Sequence, residues 1–492
     1  MQLVFLAIFT FCSLYFLLCS LFQLYYLIKY IIIVKTKSTS DSEIAKLEQF
    51  PFVTIQLPIY NELYVVERLL NSICEIDYPQ DKLEIQVLDD STDETFELIA
   101  KKVAELQLKD INIIHIHRSD RQGFKAGALR EGLHIAKGEF IAIFDADFLP
   151  NSLFLQKTLP WFSNQKIGIV QTRWGHINRN FSLLTQLQAL ALDAHFTIEQ
   201  SVREISGYFL NFNGTGGVWR KSCILGAGNW SGDTLTEDLD LSYRAQLSGW
   251  KIKYLEDVIS PAELPVNISS IRNQQFRWIK GGAQNFILNF RRLESANISL
   301  NKKMHGLFHL FSSSSFFVVL LMALLSIPTM IISSKYNVGI WVTIIGFFFL
   351  IPTFILMVYY AVPYLKANRS NMSIFVYLFY FFMFIIFMMG LSFSNSVGVL
   401  EAYLGVKSSF VRTPKYNIRS KRCSWEKNKY LKNRISILHV FEAILAILFF
   451  ITIIYDFKYK MFGFVYFHTL MFMGFSTVSF LTIRDFILYR GE

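Results

Sequence analysis

The chain has 492 residues, 52% of them hydrophobic and only 17% charged, with 48 phenylalanines and a mean hydropathy of +0.35. That balance excludes an ordinary soluble protein and points to a membrane protein carrying one soluble domain. Much of the net charge of +10 flanks apolar runs, where orientation charges belong, so no nucleic-acid partner is expected. Cys12, Cys19, Cys74, Cys223 and Cys423 lack metal spacing or evident pairing, which implies a reduced, cytosolic soluble part with no zinc site.

Leu3 to Val34 is an apolar run long enough to span a bilayer, and Lys35 and Lys37 after it place the next domain inside. From about residue 50 to 260, short β-rich runs alternate with helical stretches, the signature of a parallel sheet. Val53–Leu57 reads as the first strand, ending at Pro58-Ile59-Tyr60-Asn61-Glu62, with a helix to about Cys74. Glu84–Leu88 is the second, ending at Asp89-Asp90-Ser91-Thr92-Asp93, followed by a helix to about Leu106 and a strand from Ile111 to His117. A glycine-containing loop with Lys125 and a helix to about Ala136 lead to the run Phe140–Asp147.

That run ends in Asp145-Ala146-Asp147. Side chains at i and i+2 of a strand point to one side, so the two carboxylates can face one ligand. Two bare anions at the end of a buried strand call for a counter-charge. A hard divalent cation such as Mg2+ on a diphosphate would supply it; the alternative is a solvated turn after a core strand. Asn61, Asp90 or Ser91 would each cap a helix well. Capping explains one oxygen per helix, however, and not two adjacent aspartates beside a lysine–glycine loop at the same sheet edge.

Beyond Asp147 come a strand at Ile167–Gln171 and a helix from Leu183 to Val202 with Asp193, His195, Glu199 and Gln200. His195 there reads as a satisfied core group rather than a catalyst. Phe212-Asn213-Gly214-Thr215-Gly216-Gly217 is a loop that lets backbone approach a ligand closely. Thr236 would cap a helix opening with Glu237 and Asp238, two acids that suit its dipole. Gln274-Gln275-Phe276-Arg277-Trp278 lies on a basic amphipathic segment, which by itself reads as a membrane-surface helix.

Spans are expected at about 306–333, 338–362, 373–396, 436–455 and 461–484, with a basic linker at 407–434. The soluble domain and the linker should both be inside, yet three spans separate them. Segment 373–405, interrupted by Gly390, Ser392, Ser394, Asn395, Ser396 and Gly398, is therefore expected to be re-entrant or interfacial. The expected domains are an N-terminal transmembrane helix (1–35), a cytosolic catalytic domain (36–295), transmembrane or interfacial helices (296–405), the basic linker (406–434) and a C-terminal hairpin (435–492).

The motifs Pro58–Glu62, Asp89-Asp90, Lys125–Leu129, Asp145-Ala146-Asp147, Thr236-Glu237-Asp238 and Gln274–Trp278, in this order, resemble the family-2 inverting glycosyltransferases of the membrane-embedded cellulose synthase-like group. Val87–Asp93, Phe124–Leu129 and Phe212–Thr215 look especially similar to the plant cellulose synthase-like A and C enzymes, which make glucomannan and β-glucan backbones. The resemblance is dense over about 50–290 and only one of layout in the membrane half. It implies an α/β, GT-A-type nucleotide-sugar-binding domain with a Rossmann-like mixed sheet, inserted between transmembrane helices of a multi-pass membrane protein.

The resemblance also implies roles. Pro58, Tyr60, Glu62, Asp89, Asp90, Lys125 and Asp145 would bind the donor, UDP-glucose or GDP-mannose, and Asp145 and Asp147 would hold Mg2+ or Mn2+. Asp238 would be the general base. Phe212, Glu237, Gln274, Arg277 and Trp278 would bind acceptor, product or leaving diphosphate. Phe410, Thr413 and Lys415, in Phe410-Val411-Arg412-Thr413-Pro414-Lys415, would form a gating loop, with Arg412 where the family pattern has valine. The implied function is a processive hexosyltransferase that elongates a β-linked glycan and passes it through the bilayer, with an accessory export subunit left open. Two other readings compete: a single-transfer enzyme glycosylating a lipid, and a transporter with a regulatory domain. The transporter reading needs ionisable residues inside the spans, and the run from 306 to 400 carries almost none.

Overall fold

The computed structural model describes residues 2–37, 47, 49–336, 344, 349–368, 373–408, 410–419, 428–431 and 435–488. At its centre is a seven-stranded mixed sheet in the order β3-β2-β1-β4-β6-β5-β7. The strands are β1 (Val53–Ile59), β2 (Leu83–Asp89), β3 (Ile113–His117), β4 (Phe140–Ile143), β5 (Ile167–His176), β6 (Gly217–Arg220) and β7 (Lys251–Ala262). The first four run parallel, β6 runs antiparallel to both β4 and β5, and β7 is parallel to β5.

The N-terminal helix α1 (Gln2–Lys37) precedes the sheet, and α2 (Val66–Cys74), α3 (Thr95–Gln107) and α4 (Phe124–Ile135) make the crossovers. Period-2 alternation builds the core. Val53, Ile55 and Leu57 meet Leu69, Ile73, Ile99 and Val103 on one face, while Ile141 and Ile143 meet Leu129 and Leu133 on the other. On that second face β1 and β2 bury polar side chains that satisfy each other, Thr54 donating to Glu84 at 2.7 Å and Gln56 to Gln86 at 3.0 Å.

Three local expectations are corrected. Lys125 is not on a loop but in the first turn of α4, after Gly123 in the left-handed region at φ 73°. Gly127 lies within that helix, and it is a glycine because a Cβ there would meet the Gln122 carbonyl at 2.0 Å. β4 stops at Ile143, and the amide of Phe148 donates to the Asp145 carbonyl at 3.0 Å, so Asp145 and Asp147 sit in a turn rather than on a pleat.

Helix α5 (Leu183–Ala194) lies between β5 and β6, α6 (Glu237–Leu247) between β6 and β7, and α7 (Ile268–Ser295) follows β7. The apolar part comprises α8 (Leu300–Phe311), α9 (Ser315–Tyr336), α10 (Leu350–Ala367), α11 (Ile374–Gly390), α12 (Ser392–Tyr403), α13 (Ile437–Lys458) and α14 (Phe462–Leu488). Five segments among the described residues are long and apolar enough to cross a membrane: Val4–Val34, Leu300–Ser333, Leu350–Ala367, Ile437–Lys458 and Phe462–Ile487. Part of the expected span 338–362 lies outside the described residues, as do residues 409, 420–427 and 432–434 of the basic linker and Cys423. The segment expected to be interrupted is bent by 47° between α11 and α12, where the polar residues begin. Gly390 there packs on α14 so closely that a Cβ would meet the Gly474 carbonyl at 2.3 Å.

Candidate active site

The parallel strands deliver their carboxyl ends to one cavity, the edge at which open α/β sheets bind ligands. β1 contributes Pro58, Tyr60 and Glu62, the end of β2 Asp90, α4 Lys125, and the turn after β4 Asp145 and Asp147. The start of α6 adds Glu237 and Asp238, α7 adds Gln274, Arg277 and Trp278, and the segment after α12 adds Phe410, Arg412, Thr413 and Lys415. Residues from seven motifs scattered between 58 and 415 thus share one wall.

Two of the expected site residues are not among those that line it. The Asp89 carboxylate is fully buried and takes hydrogen bonds from the Ser91 amide at 2.8 Å and from His115 at 2.9 Å. Phe212 is also fully buried, its ring against Trp219, and its neighbour Asn213 lines the cavity instead. Asp90 lines the wall with both carboxylate oxygens gripped by Arg118, at 2.7 and 2.5 Å.

Lys125 is the hub of the anionic side. Its ammonium donates to Asp145 at 2.5 Å and to the Gly214 carbonyl at 2.9 Å. Gly214 sits at φ 81°, and a Cβ there would meet the Asp238 carboxylate at 2.9 Å and the Lys125 ammonium at 3.4 Å. Base candidate and lysine therefore both approach the Gly214 backbone. Burial, and then the Glu237 charge beside it, pushes the Asp238 carboxyl up to about 7. Burial also raises Glu237, against the pull of Lys125 and Arg277. Desolvation alone would lower Lys125, but Asp145, Glu237 and Asp238 hold it above the ordinary lysine range. Arg277 is lowered by burial, and its guanidinium lies 4.5 Å from the centre of the Phe410 ring.

Thr236 stands at the N-cap of α6 but does not cap it with its side chain. Its hydroxyl instead accepts from Asn285 at 3.0 Å, and Asn285 also donates to the Thr236 carbonyl at 3.2 Å. Gly281 lets α7 come this close, since a Cβ there would meet the Thr236 hydroxyl at 2.5 Å. Gln284 takes the Leu235 amide at 2.9 Å. The helix expected at a membrane surface thus also buttresses the turn that carries Glu237 and Asp238.

The segment around Phe410 lies over the cavity. Phe410 stacks on Phe124 at 5.7 Å, Arg412 pairs with Glu62 at 2.9 Å, and Lys415 donates to Asp147 at 2.8 Å and to the Glu263 carbonyl at 3.0 Å. Glu263 accepts the amides of Tyr416 at 2.8 Å and Ile418 at 3.2 Å. Burial, against the Arg412 and Lys415 charges, pushes Glu62 up to about 7. Glu62 Oε2, the Thr413 hydroxyl and Arg412 Nη2 are buried without a hydrogen-bond partner in the protein. These are groups that a polar ligand in the cavity would satisfy.

Arg121, Glu263 and Asn285 were not singled out by motif. Arg121 lies 3.2 Å from the centre of the Tyr60 ring, a cation–π contact that its place just before Gly123 could have suggested. Glu263 and Asn285 carried no such signal. His195 is, as expected, a satisfied group: it bonds Glu199 at 3.0 Å and Asn213 at 3.0 Å, and so tethers a lining residue without lining the cavity itself.

Asp145 and Asp147 reach the same cavity and offer the oxygen donors that a hard divalent cation takes, so the pair fits Mg2+ or Mn2+.

Residues 51–281 match the sequence model described as glycosyltransferase like family 2. The chain is 42% identical over 273 residues to a probable glucomannan 4-beta-mannosyltransferase 7 of Oryza sativa subsp. japonica, covering 54% of this chain and 46% of that protein. It is 41% identical over 269 residues to glucomannan 4-beta-mannosyltransferase 7 of Arabidopsis thaliana, covering 53% and 48%. The chain thus spans about half the length of the curated relatives it matches. The structure of the mannosyltransferase PcManGT from Pyrobaculum calidifontis, in complex with GDP-Man and Mn2+, superposes with a TM-score of 0.51 at 17% identity, over 81% of this chain and 98% of that one. At that identity the likeness establishes the fold, a GT-A-type mixed sheet with its flanking helices.

Proposed function

We propose that the cellulose synthase-like glycosyltransferase family 2 domain carried by residues 51–281 transfers mannose from GDP-mannose, ahead of glucose from UDP-glucose, to a growing β-linked glycan. The observation that carries this reading is the convergence of the Lys125–Asp145 pair and Asp238 at Gly214, in a cavity walled by Arg277 and Trp278 from α7. The catalytic domain would face the cytosol, and the bilayer helices would pass the product outward. The glucomannan 4-beta-mannosyltransferases among the relatives favour mannose over glucose.

In this reading Asp238 removes the proton from the acceptor hydroxyl as that oxygen attacks the anomeric carbon. The bond from that carbon to the diphosphate oxygen breaks on the opposite face, so an α-linked donor gives a β-linked product. Lys125 and Arg277 take up the charge of the leaving nucleoside diphosphate, Arg277 in two places through its planar fork. Asp145 and Asp147 would hold the divalent cation, which when bound neutralises the diphosphate. The Trp278 face can carry a sugar ring, and Tyr60 with Arg121 offers a stacked platform for a base. The segment Phe410–Lys415, docked over the cavity, excludes water from the reacting carbon.

The test uses the full chain in proteoliposomes with Mn2+, offered labelled GDP-mannose and UDP-glucose separately, with Asp238→Asn as control. Long, β-mannanase-sensitive product lost in the control is the expected result. A single labelled lipid would replace the processive reading with glycolipid synthesis. Product persisting in Asp238→Asn would remove Asp238 as base.

A further inference from the structure

The two adjacent aspartates at the end of β2 serve different sides of the sheet edge, and Asp89 is the one left without a place in the cavity. Its Oδ1 is fixed by the Ser91 amide at 2.8 Å. Its Oδ2 is met by His115 Nε2 at 2.9 Å and by His117 Nδ1 at 3.5 Å. His115 and His117 are two residues apart on β3, so both rings leave the same face of the strand, and His117 is the register partner of Asp89 on β2. The three donor atoms lie within 4.8 Å of one another.

One histidine suffices to satisfy Asp89, whose other oxygen already has the Ser91 amide. The second imidazole, converging on the same oxygen, is surplus to that need. Tetrahedral zinc sites with metal–ligand bonds of about 2.0–2.1 Å separate neighbouring ligand atoms by about 3.4 Å. The two Asp89–histidine distances of 2.9 and 3.5 Å bracket that separation. The surroundings also suit a cation. Asp89 is oriented by a backbone hydrogen bond, as metal-bound carboxylates usually are. The Phe96 ring walls the site 4.6 Å from the His117 ring, and 37% exposure of the His117 side chain leaves an entry path.

We propose that Asp89, His115 and His117 form a second divalent-cation site, apart from Asp145 and Asp147, which takes a late first-row ion of the zinc class with water in the open position. Imidazole-rich sets select such ions, whereas carboxylate sets suit Mg2+ and Mn2+, so the two sites sort cations by ligand chemistry. The reading of the soluble part as free of zinc weighed cysteines only; the histidines of β3 carry the site. A cation here ties β3, the edge strand, to the end of β2, one residue before Asp90 and its Arg118 clamp.

The experiment titrates Co2+ into the full chain in detergent, stripped by chelation and held in excess Mg2+, and follows visible d–d absorption and back-titration with Zn2+. Expected is one Co2+ per chain with a four-coordinate spectrum, displaced by Zn2+ and retained in the Asp145→Asn/Asp147→Asn variant. Affinity should fall by at least about tenfold in His117→Gln, as when metal-site partners are lost. His117→Gln alters a partly exposed side chain, and its melting curve in metal-free buffer should match the parent. An unchanged spectrum and affinity in His117→Gln, or binding lost in the Asp145→Asn/Asp147→Asn variant, overturns the proposal.

Discussion

Lys415 reaches across 268 residues of sequence to donate to the Asp147 carboxylate at 2.8 Å, fastening the segment after the membrane helices to the turn after β4. Asp147 is nearly fully buried and Lys415 is raised by Asp147 and Glu263 against the cost of burial, so the bond joins charges poorly shared with solvent. Lys415→Met should leave the sheet folded but loosen the segment. Transfer should fall by up to about 10²-fold, the scale of a misplaced active-site wall, and limited proteolysis should cut the chain near residues 404–419 faster than in the parent.

As the proposed base, Asp238 would act only when ionised, and its carboxyl is pushed up to about 7, first by burial and then by Glu237. Transfer should therefore rise with pH through about 7 on its acid side. Glu237→Gln removes a negative neighbour, which favours the ionised form of Asp238 and should move that acid limb to lower pH. Asp238→Asn should cost on the order of 10²–10⁴ in turnover, the usual contribution of a positioned base. Rate profiles of the three proteins from pH 5 to about 9 decide this, and a limb unmoved by Glu237→Gln would assign it to another group.

Gly214 offers a test of packing rather than charge. At φ 81° an alanine is strained, and its Cβ would press on Asp238 at 2.9 Å. Gly214→Ala should cost about 1–3 kcal/mol of stability, the usual strain of a non-glycine residue there. It should also lower turnover by displacing Asp238, with a smaller change in donor affinity measured by nucleotide titration.

How far the site could be read from sequence follows from what each residue depends on. Asp145, Lys125, Asp238 and Arg277 belong to short motifs, but only Asp145 was placed at the sheet edge by a strand end; the order of the motifs carried the others. Adjacent pairs were harder. Asp89 and Asp90, or Phe212 and Asn213, differ by one position, and in extended chain neighbours point to opposite sides. Either member of each pair could have faced the cavity, and in both pairs it is the second that lines it. The glycines of Gly123-Phe124-Lys125-Ala126-Gly127 read as a loop, although Gly127 is small because the Gln122 carbonyl folds back on the helix. Asn285 and Glu263 act through contacts some 49 and 153 residues away, which no local pattern encodes.

Glu263 is the residue on which the segment Lys415–Ile418 hangs. Its two carboxylate oxygens accept the Tyr416 and Ile418 amides, and its backbone carbonyl accepts from Lys415. Arg68, 3.6 Å from its carboxylate, also donates to Asn417 at 2.7 Å, so one pair grips the segment from below. Glu263→Gln keeps the size and one carbonyl acceptor but gives up the charge facing Arg68 and puts an NH2 group against an amide N–H. Buried donors facing each other typically cost about 1–3 kcal/mol. The expected outcome is a protein whose sheet melts close to the parent, with faster amide exchange at 415–418 and transfer reduced in step with Lys415→Met. Combining the two substitutions should lose little more than either alone, because both release the same segment. Fully additive losses would mean that Glu263 and Lys415 act on different structures.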